Sequence, residues 1–248
     1  MKKSKVLAII PARGGSKGIP RKNIRNIEGK PLVQYTVDFS LKCSLIDKTV
    51  VSSDDKEILN VCKKLGAHVI NRPPEYSRDE SPTEEAILHC LDVLKKESYI
   101  PDIILLLQPT SPIREIEDVK KSLIPIREKD FNASMTVTEV DAHYHPFWIK
   151  EIVEGELISP YGRNDKDERI NEIKKYHQRQ LLPGKFYWKN GSIYAFTEES
   201  FRRLGHRYGD KCAPVIIPPD RSINIDSIND ISKLENYYRE KNEKNNNM

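Results

Sequence analysis

Apolar runs of strand length alternate along the chain with segments of helical period. Residues 6–10 (Val-Leu-Ala-Ile-Ile) form an unbroken apolar run and read as a buried strand. Residues 31–42 carry Leu32, Tyr35, Val37 and Phe39 at helical positions. Residues 49–52 predict a short strand. The helix after it places Ile58, Leu59, Val61, Cys62 and Leu65 on its apolar side and stops at Gly66, since glycine tolerates the left-handed backbone that ends a helix. A strand at 67–70 follows, then a helix at 84–97 with Ala86, Ile87, Cys90, Leu91 and Leu94, whose start Pro82 and Thr83 suit. Residues 102–107, after Pro101, form the most continuous apolar run and predict a central strand. Strands that are apolar throughout are buried on both faces. The pattern therefore predicts an α/β fold with a mostly parallel central sheet and helices on both faces.

After about residue 138 the rhythm changes. Residues 139–182 are polar, weakly periodic and rich in His, Tyr, Pro and charge, and they read as an insertion outside the sheet. Regularity returns with a strand at 191–196, a helix at 198–204, a strand at 213–217 and a helix at 228–239. One domain spanning 1–238, interrupted by the insertion, accounts for both ends of the sheet. The Lys/Glu/Asn-rich run 239–248 reads as a frayed, flexible tail.

Composition narrows the classes. The chain has 248 residues, 31% charged, with a net charge of only +4. No apolar run approaches a membrane span, and none has the flanks of a signal peptide. Four scattered cysteines without a C-x-x-C pair read as reduced thiols of a cytoplasmic protein rather than a disulfide or zinc framework. The charge is unevenly placed. Lys2, Lys3, Lys5, Arg13, Lys17, Arg21, Lys22, Arg25 and Lys30 face the single acid Glu28 within the first thirty residues. No aromatics interleave with this basic block and it surrounds a glycine turn, which argues against a nucleic-acid surface.

That turn carries the first candidate chemistry. Gly14, Gly15 and Gly18 follow the first strand directly, where ligands bind in a parallel sheet. Backbone N–H groups unobstructed by Cβ atoms, with Arg13, Lys17 and Lys22 beside them, suit a polyphosphate. The loop is neither a P-loop nor a G-x-G-x-x-G turn. A plain surface turn with solvated lysines is the competing reading. The pair His143 and His145 has no third ligand nearby and makes a poor metal site.

The run Ile10-Pro11-Ala12-Arg13-Gly14-Gly15-Ser16-Lys17-Gly18 with Lys22-Asn23 closely resembles the opening of the N-acylneuraminate cytidylyltransferases. The resemblance continues through Val51-Ser52-Ser53-Asp54, Arg72-Pro73-Pro74-Glu75, Asp79-Glu80-Ser81-Pro82-Thr83, Leu106-Leu107-Gln108-Pro109-Thr110-Ser111-Pro112, Arg179-Gln180 with Pro183, and Asn190-Gly191 with Tyr194. It spans roughly residues 5–230 and is weakest over 139–182. The Kdo cytidylyltransferases, which lack the Gly-Gly-Ser-Lys-Gly run, fit less well.

The resemblance implies a Rossmann-like fold of the nucleotide-diphospho-sugar transferase type with an inserted dimerisation arm, in a cytoplasmic homodimer. It implies transfer of CMP from CTP to the anomeric hydroxyl of a nonulosonic acid, with Mg2+ as cofactor. N-acetylneuraminate, legionaminate and pseudaminate stay open as the sugar. Other readings are a nucleotidyltransferase of the same fold with another base or sugar, and a non-catalytic nucleotide-binding module. Arg13, Lys17 and Lys22 match triphosphate positions, with the amides of Gly14, Gly15 and Ser16. Asn23, Arg72, Ser81 and Thr83 match nucleotide contacts, and Arg179 matches the catalytic arginine. Gln108 suits a cytosine edge, because its amide both donates and accepts. The family typically holds magnesium with Asp-x-Asp; here Asn224 stands in the first position, before Ile225 and Asp226. A retained but altered metal site is expected, with Asp230 or Asp54 as possible further acids. Asp226 as a helix cap is the alternative.

Overall fold

The computed structural model describes residues 4–16, 18–158, 176 and 178–246. In chain order these give β1 (Val6–Pro11), a ribbon of β2 (Asn26–Ile27) and β3 (Lys30–Pro31), α1 (Leu32–Lys42), β4 (Lys48–Ser53) and α2 (Lys56–Lys64). Then come β5 (His68–Asn71), α3 (Thr83–Lys96), β6 (Ile103–Leu106), α4 (Ile116–Glu128), β7 (Ala133–Glu139), β8 (Glu151–Val153) and β9 (Glu156–Ile158). The chain closes with β10 (Tyr187–Thr197), α5 (Glu198–Leu204), β11 (Cys212–Ile216) and α6 (Ile228–Asn246).

Seven strands form one sheet in the order β11-β7-β10-β6-β1-β4-β5. β6, β1, β4 and β5 run parallel, and β10 pairs with β6 in the antiparallel sense. The period of two in a strand divides each apolar run between two cores. Val6, Ala8 and Ile10 pack with Val33 and Val37 of α1, Ile58 and Cys62 of α2, and Val119 and Leu123 of α4. Leu7 and Ile9 face the other way, onto Ile87, Cys90, Leu91 and Leu94 of α3 and Phe201 of α5. Each such Leu or Ile taken fully from water contributes roughly 2 kcal/mol. A third cluster seats Ile231 and Leu234 of α6 against Ile19, Ile27, Leu32, Ile113 and Ile225. Gly66, with φ +98, follows α2 and donates its N–H to Lys63 O at 3.0 Å.

The structure adds α4 and β7, which the apolar rhythm does not single out. Pro125 lies inside α4, one turn from its end, where it removes one helical hydrogen bond. The run read as a tail from residue 239 is instead helical through Asn246.

Contact density divides the chain into two compact units, Met1–Thr136 with Asn190–Met248, and Val137–Lys189. Within the second unit, β8 and β9 form a hairpin whose two turn residues, Glu154 (φ 52) and Gly155 (φ +87), take the left-handed conformations that a tight hairpin needs.

Candidate active site

The first loop is anchored at the end of β1, where the Ala12 amide donates to Ser52 O at 2.9 Å. Gly14 and Gly18 are required by space rather than by backbone handedness, since neither has positive φ, whereas a Cβ on Gly15 would meet nothing within 4 Å. A Cβ on Gly14 would lie 2.8 Å from the Asp55 side chain, and one on Gly18 would lie 2.6 Å from Asp226 O. Gly14 N–H is already used, donating to Asp54 Oδ1 at 3.0 Å. Asn23 is buried and donates to Arg13 O at 2.8 Å, so its amide braces the loop from within. Lys22 Nζ donates to Ile225 O at 2.7 Å and stands 3.4 Å from Asp226 Oδ1. Lys17 lies outside the described residues.

The opposite wall follows β5. Arg72 is buried at 6% exposure, with its amide on Ser53 O at 2.8 Å, yet its Nε and Nη2 have no hydrogen-bond partner among the described residues. Burial pulls this guanidinium below the usual arginine range, against the pull of Asp54. A buried cation with unmet donors is costly, and an anionic or polar ligand would relieve that cost. Arg13 Nη1 reaches across to Asp79 Oδ1 at 2.9 Å and to Arg78 O at 3.4 Å, which ties the two loops together. Ser81 Oγ donates to Glu75 O at 2.9 Å, just before α3 begins at Thr83.

Between these walls, beyond the carboxyl ends of β1, β5 and β6, lies a cavity of about 310 Å3. Of the residues the sequence assigns to the nucleotide, Arg13, Gly15, Ser16, Lys22, Asn23, Arg72, Ser81, Thr83 and Gln108 all line it. Gly14 does not; it supports the loop behind. The lining also includes Tyr76, Ser77, Arg78 and Thr110, which sequence reasoning passed over although they sit within or between the quoted motifs.

The segment Ser222–Asp226 borders the first loop. Asn224 Oδ1 accepts from Ser111 Oγ at 3.2 Å, and its Nδ2 donates to Asp226 Oδ2 at 2.5 Å. Asn224 and Asp226 are thus neighbours, with the amide's donor rather than its oxygen turned to the carboxylate. Asp230, in the first turn of α6, reaches back to the residues before the helix: its Oδ2 accepts from Ser227 N at 2.9 Å, Ser227 Oγ at 2.7 Å and Asp226 N at 3.3 Å. Partial burial works to raise the Asp230 carboxyl, but Ser227 and Lys233 outweigh it and hold it down at about 2. Asp230 and Asp54 are each committed to protein hydrogen bonds. Among the described residues no three His, Cys, Asp or Glu side chains converge on a point that would hold a metal ion. The donor set fits Mg2+ in one way only: magnesium commonly takes one or two carboxylates and completes its shell with substrate phosphates and water. The Asp226 side chain is 68% exposed, and it would serve as the carboxylate by exchanging its contacts with Asn224 Nδ2 and Lys22 Nζ for the ion.

Arg179 belongs to the inserted unit, exposed in the turn Arg179–Leu181. It is one of the charges that hold the Asp141 carboxyl low, after hydrogen bonds from the His143 backbone and ring. His143 Nδ1 lies 2.6 Å from Asp141 Oδ1, whereas His145 is buried against Phe147 and Phe186. The two imidazoles have separate partners and form no metal pair.

A three-layer sheet with a cationic cavity at its strand ends defines a nucleotide-binding α/β enzyme of the nucleotidyltransferase type. The cytidylyltransferase family profile covers residues 7–205, and the chain belongs to that family. N-acylneuraminate cytidylyltransferase B of Danio rerio is 36% identical over 88% of this chain, which spans 48% of that protein's length. CMP-N,N'-diacetyllegionaminic acid synthase of Legionella pneumophila is 30% identical, covering 90% of this chain and 91% of its own. Pseudaminic acid cytidylyltransferase of Campylobacter jejuni is 29% identical, covering 95% and 97%. Among solved structures, CMP:2-keto-3-deoxy-manno-octonic acid synthetase complexed with CTP superposes with a TM-score of 0.66 at 19% identity, covering 96% of this chain and 100% of that one. The fold expected from the apolar pattern is the one found.

Proposed function

We propose that this chain transfers CMP from CTP to the anomeric hydroxyl of a nonulosonic acid, releasing pyrophosphate. The observation that carries the reading is the buried Arg72 guanidinium, with two nitrogens unpartnered at the wall of a cavity ringed by Arg13, Lys22 and Gln108. In the reaction, the sugar oxygen attacks the α-phosphorus in line. The new P–O bond forms as the bond to the β-phosphate oxygen breaks, and the hydroxyl proton is released. Arg13, Lys17 and Lys22 hold the triphosphate together with the amides of Gly15 and Ser16. Arg72, Ser81 and Thr83 hold the nucleoside side, and Gln108 reads the base. Positioning and charge stabilisation account for the catalysis.

Mg2+ held by Asp226 and the triphosphate would neutralise charge on the phosphates. Asn224 contributes by hydrogen bonding to Asp226 and not by charge. Arg179 acts on charge developing at the phosphates or on the sugar carboxylate. The inserted unit carries exposed Ile152, Leu157, Tyr144 and Trp188, apolar surface that suits a second copy of the chain, so the working form is a homodimer. Its four free thiols suit the reducing cytoplasm, where CTP is made.

The test is pyrophosphate release with CTP, UTP, ATP and GTP against N-acetylneuraminate, legionaminate and pseudaminate in the presence of Mg2+. Turnover with CTP and one of these sugars is expected; no turnover with CTP and any of them would contradict the reading.

A further inference from the structure

Gln108 can read a base only if its carboxamide is held one way round. Rotation by a half-turn exchanges its donor and acceptor, and cytosine and uracil differ by that exchange at N3 and C4. Two residues of the same core hold it. Gly191, in β10, has φ +75, and a Cβ there would lie 2.6 Å from Gln108 Oε1 and 3.0 Å from Ser111 Oγ. The Gln108 amide therefore lies across the backbone of β10, in space that only glycine leaves open. Its oxygen is turned toward that strand. An amide in this orientation presents its N–H2 group to acceptors such as N3 and O2 of cytosine, whereas uracil carries a hydrogen at N3.

The main chain of Gln108 is fixed from behind. Arg114, 7% exposed, donates Nη2 to Gln108 O at 2.6 Å, Nε to Ser192 O at 2.8 Å and Nη1 to Thr36 Oγ1 at 3.0 Å. No carboxylate pairs with it among the described residues, and burial lowers it to about 9. A buried cation without a counter-ion is an expensive way to fill a core. Its planar fork, however, joins three rigid points, α1, β10 and the loop after β6, which an aliphatic side chain could not do.

We propose that Gly191 and Arg114 are positioning residues that set the base selectivity of the enzyme through Gln108. This rests on the proposed reading of Gln108 as the base-contacting residue. A double-mutant cycle separates positioning from ordinary structural damage. Steady-state kinetics with CTP and UTP, together with melting temperatures, would be measured for Gln108→Ala, Gly191→Ala, the double variant and Arg114→Lys. Gly191→Ala is expected to lower kcat/KM for CTP about 30-fold and the CTP/UTP preference about 10-fold. In the Gln108→Ala background the same change should leave the CTP/UTP preference within about 2-fold, because the closest atom it meets is gone, while the contact with Ser111 Oγ and the strain of φ +75 remain and are read by the melting temperature. Arg114→Lys keeps the charge but cannot span three acceptors; it should raise KM for CTP more than it lowers kcat.

If Gly191→Ala costs as much with Gln108 absent as with it present, the positioning role is refuted. If Gly191→Ala fails to fold, the double variant decides: recovery of the fold supports the collision with Gln108, and continued failure assigns the strain to the backbone and overturns the proposal. If Gln108→Ala itself leaves the CTP/UTP preference unchanged, the underlying reading of Gln108 is what fails. If Gln108→Ala relaxes the preference and Gly191→Ala and Arg114→Lys leave it intact, only the positioning inference fails.

Discussion

In β1, neighbouring side chains serve opposite cores: Val6, Ala8 and Ile10 meet α1, α2 and α4, while Leu7 and Ile9 meet α3. In the β8–β9 hairpin of the inserted unit, the cross-strand pair Ile152 and Leu157 stays 74% and 73% exposed. The first region buries the apolar side chains of its central strands within the chain and leaves a polar group, Arg72, unmet at its cavity. The second ties Trp148 Nε1 to Tyr176 O at 2.6 Å, leaves His145 Nε2 buried without a partner among the described residues, and leaves apolar surface uncovered. Each shortfall indicates what is missing. An unpartnered buried guanidinium asks for an anionic or polar ligand, and uncovered Ile and Leu ask for another protein surface. On the proposed function, the nucleotide chemistry belongs to the first region and the contact with a second copy to the other.

The largest effect is expected where the shortfall is most buried. Arg72→Ala should weaken CTP binding roughly 100-fold, the worth of one to two charge-assisted hydrogen bonds, as read by calorimetric titration. Binding within about 3-fold of the unchanged chain would mean that Arg72 meets no ligand. Arg179→Ala should act in the other manner, lowering kcat about 100-fold while CTP affinity stays within about 2-fold. A loss of CTP affinity with kcat intact would erase the division between the two regions. Ile152→Asp with Leu157→Asp should shift sedimentation from dimer to monomer, again without changing CTP affinity; an unshifted dimer would place the subunit contact elsewhere. The smallest effect falls at position 224. Asn224→Asp removes the donor that faces Asp226 and sets two carboxylates side by side. The melting temperature without metal should drop by a few degrees, and Mg2+ should restore more than it does for the unchanged chain. An equal response to Mg2+ in both would mean that position 224 does not sense the metal.

How much of this was legible in the sequence follows the same division. The strands and helices around the cavity could be read because a doubly buried strand has to be apolar at every position, as residues 103–107 are. The cradle lining could be read because its residues cluster at strand ends, and the motif positions from Arg13 to Gln108 meet there. α4 was not legible: Pro125 interrupts its period, and its buried Asp118 breaks the apolar stripe in order to pair with Arg221. The free amides expected of the first loop were also misjudged at Gly14, because sequence spacing does not reveal that Asp54 accepts its N–H. The insertion resisted for a plainer reason. Among its described residues, the hairpin's Ile152 and Leu157 face outward rather than into a core, so no buried period marks them.

The central claim is that the first region is a CTP site, and equilibrium titration with CTP, UTP, ATP and GTP in the presence of Mg2+, without sugar, tests it most directly. The account predicts that CTP binds at least about 10-fold more tightly than any of the other three. Equal affinity for all four would contradict it.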